Sequence, residues 1–340
     1  MIELKNDTLV VSFPEMEHKP CVSITFQRTL RIPDDGHDYP LPPGLGSFPL
    51  RHIDDYAAKA PKQWLKRGGV LLPMWQSEAL WLEFTNRFIA DRLTRYPFAI
   101  KVGTGKISAI TGEQWKPGLV RQPQDYLVVP EQPWLDGYCV EKGMIRQFVA
   151  MPLGQGYSVE EQLTGDAEFG GIQLEVFPMR SDVFNRRFPE HTLREVQFGG
   201  RCDCCMLESP AAMGIAPGGR MRQEIYEDPF SFDDWDLGHS SRCFVHLVNS
   251  EAWREITGSL PPSKPPTAEQ YTMAGFPWFE YYDSEHEALA GSGRLATLKT
   301  VKQKGKEIRK PLADNQSVNV TRTVKLRAGL KPHQVREGRF

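Results

Sequence analysis

The densest grouping of reactive side chains in the 340-residue chain is R-C-D-C-C-M, which crowds Cys202, Cys204 and Cys205 together just after a Gly-Gly pair. Thiolates this close can share one soft ion, Zn²⁺ or Cu⁺, and a further ligand can come from Cys243, His239 or His246 downstream. The C-x-C-C spacing departs from the paired C-x₂₋₄-C units of structural zinc sites. The same thiols admit a redox reading, with Cys204 and Cys205 as a vicinal disulfide or Cys202 and Cys205 as a C-x-x-C pair. They also admit a plain one, in which the three share no ligand.

A second grouping, MGIAPGGRMRQEIYEDPFSFDDWDLGH, sets Gly218, Gly219, Arg220 and Arg222 beside six acidic residues and His239. A Gly-Gly-Arg turn can offer backbone N–H groups and a guanidinium to a phosphate or carboxylate, because glycine admits close approach and Arg binds such anions bidentately. Asp233, Asp236 and His239 recur every three residues and would converge on a divalent ion if that stretch were helical. Against both stands a surface loop in which Arg220 and Arg222 pair with Glu224 or Glu227.

AMPLGQGYSVEEQ has the order strand, G-x-G turn, capped helix, which can place an anion at a helix N-terminus. It lacks the third glycine of a dinucleotide fingerprint and the basic residue of a phosphate loop, and Glu160 and Glu161 already stand at the positive end of the helix. No G-x-S-x-G elbow, H-E-x-x-H pair or kinase signature occurs. The run FPWFEYY, Phe276 to Tyr282, concentrates five rings and suits either a core or a stacking surface for a sugar or base. His246 falls in opposite register to Cys243, Val245 and Leu247, which puts it on the other face of a strand.

The elements that must hold these groups are mostly strands. Apolar alternation predicts one from Val22 to Arg31, ending in the loop PDDGHDYPLPPGLGSFPL, whose prolines and glycines disfavour regular structure. Two short strands joined at Met74 to Ser77 follow a short helical piece around Tyr56 to Leu65. FAIKVGTGKISAITGE predicts a hairpin, and a second is centred on EKG with Gly143 in the turn. Further strands are expected at Ile172 to Phe177 and Arg242 to Val248. Short helices are marked by Ser158 with Glu161 and a stop at Gly165, by Asn249 or Ser250 with a stop at Gly258, and by Thr267 with Gln270 and a stop at Gly275. One longer basic and exposed helix is expected from Gly293 to Ile308. LPPSKPP and RKPLADNQ are expected to be connectors.

With 40% hydrophobic and 25% charged residues the chain lies in the globular range and far from disorder, and 29 Gly and 27 Pro imply many turns. No window approaches the roughly 18 apolar residues of a spanning helix, so no membrane partner is expected. The first residues, MIELKNDTLVVSF, lack the pattern of a secretory leader, and clustered cysteines do not form a spread disulfide framework; a cytoplasmic location with reduced thiols follows as an expectation. The net charge of −2 is unevenly spread, since the segment from Arg294 onward holds 13 Lys or Arg against 3 Asp or Glu. That segment either lies on the acidic body or meets an acidic protein partner, while its want of interleaved aromatics speaks against nucleic acid.

The fold expected is therefore α+β and β-rich, with mostly antiparallel strands in a sandwich or in two small lobes. Three parts are expected: residues 1–150, β-rich; 151–292, mixed, with the Cys, Gly and Asp-rich loop; and 293–340, a basic helix and tail. Two functions fit. One is a soluble metal-binding protein, Zn or Cu, centred on Cys202, Cys204 and Cys205 with Cys243, His239 and His246 as further ligands and Arg220 as anion anchor. The other is a noncatalytic scaffold or binding protein that uses an aromatic, proline-rich surface and the basic tail.

Overall fold

The structure is a computed structural model that describes residues 1–190, 212–282 and 286–327. Strands from Ile2–Lys5 to Ser241–Asn249 join in one hydrogen-bonded network, except Phe88–Ile89 and Thr94–Arg95, which pair only with each other. Most pairs in it are antiparallel, as the β-rich α+β reading requires. Cys21–Thr29 lies between Thr8–Ser12 and Ala79–Asn86. Met144–Pro152 lies between Gly137–Glu141 and Ala212–Arg222. Phe98–Thr104 pairs with Ile172–Pro178, which pairs in turn with Ser241–Asn249. Parallel pairs are few, the longest in this network joining Ser241–Asn249 to Val70–Met74.

Side-chain alternation explains which faces are covered. Along Cys21–Thr29, Val22, Ile24 and Phe26 are fully buried while Ser23, Thr25 and Gln27 stay half-exposed. Along Ala79–Asn86, Leu80, Leu82 and Phe84 point into the same apolar core and Trp81 and Glu83 point away from it. Each such inward side chain contributes about 1.5–3 kcal/mol. Phe98–Thr104 and Ile172–Pro178 are instead buried on both faces, which is why they read as continuous apolar runs. The one ammonium in that layer, Lys101 Nζ, is satisfied by Lys116 O and Gly118 O at 2.7 Å each and by Asp125 Oδ2 at 2.6 Å.

Helix ends follow the capping residues closely. Ser158 caps Val159–Thr164, and the helix stops at Gly165, whose φ is 82°. Asn249 caps Ser250–Thr257, and Thr267 caps Ala268–Met273. Both hairpins form, the first turning at Gly105 and Lys106 with positive φ, the second at Gly143.

Four expectations are corrected. The basic helix from Gly293 to Ile308 is two helices, Gly293–Ala296 and Val301–Glu307. Thr300 interrupts it because its side chain caps the second helix through Gln303 N. Nor is the segment simply exposed, since Leu295, Leu298 and Val301 are buried. The proline-rich loop after Ile32 does hold short strands, Asp38–Tyr39 and Gly44–Ser47, with Pro40, Pro42 and Pro43 outside their hydrogen-bonded runs. The fourth is Ala212–Arg222, eleven residues of strand where a Gly-Gly-Arg turn was expected.

Among the described residues no helix is long and apolar enough to cross a membrane. Part of the basic C-terminal segment lies against the acidic body, with Arg294 3.0 Å from Glu113 and Lys325 3.9 Å from Glu280.

Candidate functional site: an aromatic cleft over a buried carboxyl

The short strand Trp134–Leu135 pairs antiparallel with Ala79–Asn86, placing Trp134 opposite Glu83 and Leu135 opposite Leu82. One step further in that register sets Asp136 across from Trp81. Alternation then puts Trp134, Asp136 and Trp81 on the face turned away from the Leu82 side. The backbone here is clamped by two buried glutamines. Gln132 Nε2 and Gln223 Nε2 both donate to Trp134 O, at 3.0 and 3.3 Å, and Asp136 N donates to Gln223 Oε1 at 3.0 Å.

The opposite wall comes from the proline-rich loop. Thr29 Oγ1 donates to Pro43 O at 2.8 Å, and Leu41 exchanges backbone hydrogen bonds with Phe279 at 2.8 and 2.9 Å. Trp81 lies over Gly44, where a Cβ would sit 3.6 Å from its Cζ2. Between these walls is a cleft of about 330 Å³ bounded by Leu41, Pro42, Pro43, Gly44, Trp81, Trp134, Asp136 and Phe279. Its three rings are half-buried, so each keeps surface to offer a ligand.

Among the described residues Asp136 is the one charged group of the lining. Burial raises its pKa from 3.8 to about 7, opposed by a hydrogen bond from the Trp134 side chain. Its Oδ2 is buried with no hydrogen-bond partner. A buried carboxyl oxygen left unmatched is costly, by about 1–3 kcal/mol or more. Two other hollows hold charged groups that are already matched. In one, of about 460 Å³, Arg121 is bound to Asp228 and Tyr126. In the other, of about 270 Å³, Arg31 donates to Ala313 O and Asp314 O, and Glu78 is paired with Arg28 at 2.7 Å.

The sequence-derived sites fare differently. Cys202, Cys204 and Cys205 lie outside the described residues. Cys243 and His246 stand on opposite faces of Ser241–Asn249, as their register implies. The imidazole of His246 is stacked between Phe244 and Trp64, at 4.5 and 4.9 Å, and bonded through Nε2 to Gly68 O at 2.9 Å. Burial lowers its pKa to about 4 and pushes the Cys243 thiol up to about 12. His239 is exposed and holds Asp236 Oδ2 at 2.9 Å. Among the described residues no three His, Cys, Asp or Glu side chains are grouped to hold a metal ion. Asp233 and Asp236 are not on a common helix, because only Phe232–Asp234 is helical, as a single 3₁₀ turn.

Gly218 and Gly219 sit where Ala212–Arg222 carries one extra residue against Met144–Pro152, opposite Gln147. They serve close packing: a Cβ on Gly218 would fall 2.6 Å from Val149 Cγ2, and one on Gly219 2.4 Å from Pro33 O. Arg220 reaches Asp38 at 2.9 Å and grips Glu141 with both terminal nitrogens, at 3.2 and 3.3 Å. Arg222 is 3.8 Å from Glu280. These acids come from distant strands rather than from Glu224 or Glu227. At the G-x-G turn, Glu161 itself takes the anion's place, accepting from Gly156 N at 2.6 Å and Ser158 N at 3.1 Å.

Of the aromatic run, Trp278 is buried core and Phe279 faces the cleft. Trp81, Trp134 and Asp136 escape a reading of the sequence alone, although Trp-x-Asp at 134–136, two like-facing positions on a strand, is a signal available there. Comparison with protein-family models, with curated proteins and with solved structures returns no match for this chain.

Proposed function

We propose that the chain is a noncatalytic binding protein and that the Trp81, Trp134, Phe279 and Asp136 cleft is its recognition site. The observation that carries this reading is the unmatched Asp136 Oδ2 beneath half-buried rings. In the two hollows described above Arg121, Arg31 and Glu78 already have partners, whereas Asp136 Oδ2 has none. Apolar walls with a few placed polar groups are the usual make-up of a small-molecule site, and about 330 Å³ is enough for one. A partner for the basic tail is the weaker half of the binding-protein reading, because Arg294 and Lys325 already face Glu113 and Glu280.

The test is thermal-shift screening of the full chain against small-molecule classes, repeated on Trp81→Ala and Trp134→Ala. A hit that raises the parent's Tm, and no longer does so in either variant, is expected. Hits that both variants retain would place recognition elsewhere and end this reading.

A further inference from the structure

We propose that the cleft takes the alkylated ammonium group of a small molecule, held against Trp81, Trp134 and Phe279 with Asp136 as its counter-ion. This deepens the reading of the cleft as a ligand site and rests on it.

Charge comes first. Among the described residues the eight that line the cleft include one acid and no Lys, Arg or His, so an anionic ligand would meet no positive charge there. A neutral apolar ligand would leave Asp136 Oδ2 as unmatched as it is now. A sugar presents hydroxyls in several directions, and one polar side chain cannot answer them; the remaining lining is proline, glycine, leucine and rings. A cation carrying alkyl groups meets all three features at once. Its charge faces the carboxyl, its alkyl groups displace water from Leu41, Pro42 and Pro43, and the negative faces of indole and phenyl rings attract it. The acid's tendency to stay protonated in its buried site is what a bound cation would reverse, since an adjacent positive charge favours the ionised form. Asp136 is also held in place through its backbone, whose N–H donates to the buried Gln223 Oε1 at 3.0 Å.

Choline and its uncharged isostere 3,3-dimethylbutan-1-ol separate charge from shape, and cellotriose represents the sugar class. Each is titrated into the full chain, with intrinsic tryptophan fluorescence and calorimetry as readouts, and into Asp136→Asn and Trp81→Ala. Choline is expected to bind with a Kd on the order of 1 mM and the isostere at least about tenfold more weakly. Asp136→Asn should remove choline's advantage while the variant remains folded by Tm, and Trp81→Ala should remove binding of both. Equal binding of choline and the isostere, or a choline affinity untouched by Asp136→Asn, would overturn the cationic assignment. Trp81-dependent binding of the isostere or of cellotriose alone would overturn it too, yet keep the cleft as a ligand site. No Trp81-dependent binding of any probe would overturn both.

Discussion

Trp134 and Asp136, two residues apart, line the same cleft, and the Trp134 side chain opposes the rise that burial causes in the Asp136 pKa. Gln223 ties the two into one unit, its Oε1 accepting from Asp136 N and its Nε2 donating to Trp134 O.

That unit carries a pH signature. The folded chain keeps the Asp136 proton up to about pH 7, whereas the unfolded chain releases it near 3.8. Protons are therefore bound more tightly in the folded state, and this group's contribution to stability is full below the unfolded pKa and lost as pH rises through the folded one. Asp136→Asn has no such loss. Its Tm relative to the parent should rise between about pH 4 and about pH 7, by the equivalent of at most about 4 kcal/mol at about 1.4 kcal/mol per pKa unit. A Tm difference flat across that window would contradict the assignment of a raised carboxyl.

The pair Arg28 and Glu78 is buried on both sides, with side-chain exposures of 10% and 1% and a 2.7 Å contact. Trp75 N also donates to Glu78 Oε2 at 2.9 Å. Burial raises the Glu78 pKa, and Arg28 opposes that. Arg28→Met should destabilise by about 3–5 kcal/mol because it strands the carboxylate, while Arg28→Met with Glu78→Leu should recover most of the loss. Equilibrium denaturation of the single and double variants decides the matter; additive losses would mean the two residues act independently.

Gly219→Ala tests whether the Gly-Gly-Arg segment is a packing device. With Pro33 O 2.4 Å from the new Cβ, backbone has to move, and a loss of about 1–3 kcal/mol is expected. Urea unfolding should show a lower midpoint with an unchanged slope. An unaltered midpoint would return these glycines to the role of an open anion loop.

Metal content offers a fourth check. Cys243 has a strongly raised thiol pKa and His246 is stacked and bonded to Gly68, so Cys243→Ser and His246→Gln should each retain the parent's zinc and copper content by elemental analysis. A fall in either single variant would restore that residue to the ligand set.

Structure is legible in the sequence wherever the signal is local. Ser158, Asn249 and Thr267 cap the helices that their spacing implies, and Gly143 turns its hairpin. The opposite faces of Cys243 and His246 follow from strand period alone. What is not legible depends on residues far apart in the chain. Pro217, Gly218 and Gly219 argue for a turn until Met144–Pro152 supplies hydrogen bonds on one side and absorbs the extra residue. Likewise Trp81, Trp134 and Phe279 carry no mark of belonging together. Their meeting depends on the Trp134–Leu135 pairing and on the Leu41 to Phe279 bridge, and neither has a sequence signature.

The parallel pairing of Val70–Met74 with Ser241–Asn249 also sets a timetable for the chain. Val70 and Val245 are partners 175 residues apart, so during synthesis the first waits roughly 10–40 s for the second to emerge. Val70–Met74 is buried along its whole length in the finished fold, and for that interval one of its edges is open, apolar and able to pair wrongly. Contacts this distant slow folding, because the loop must close before the pairing rewards it. Until Ser241–Asn249 emerges, the nascent chain is therefore open to mispairing along Val70–Met74.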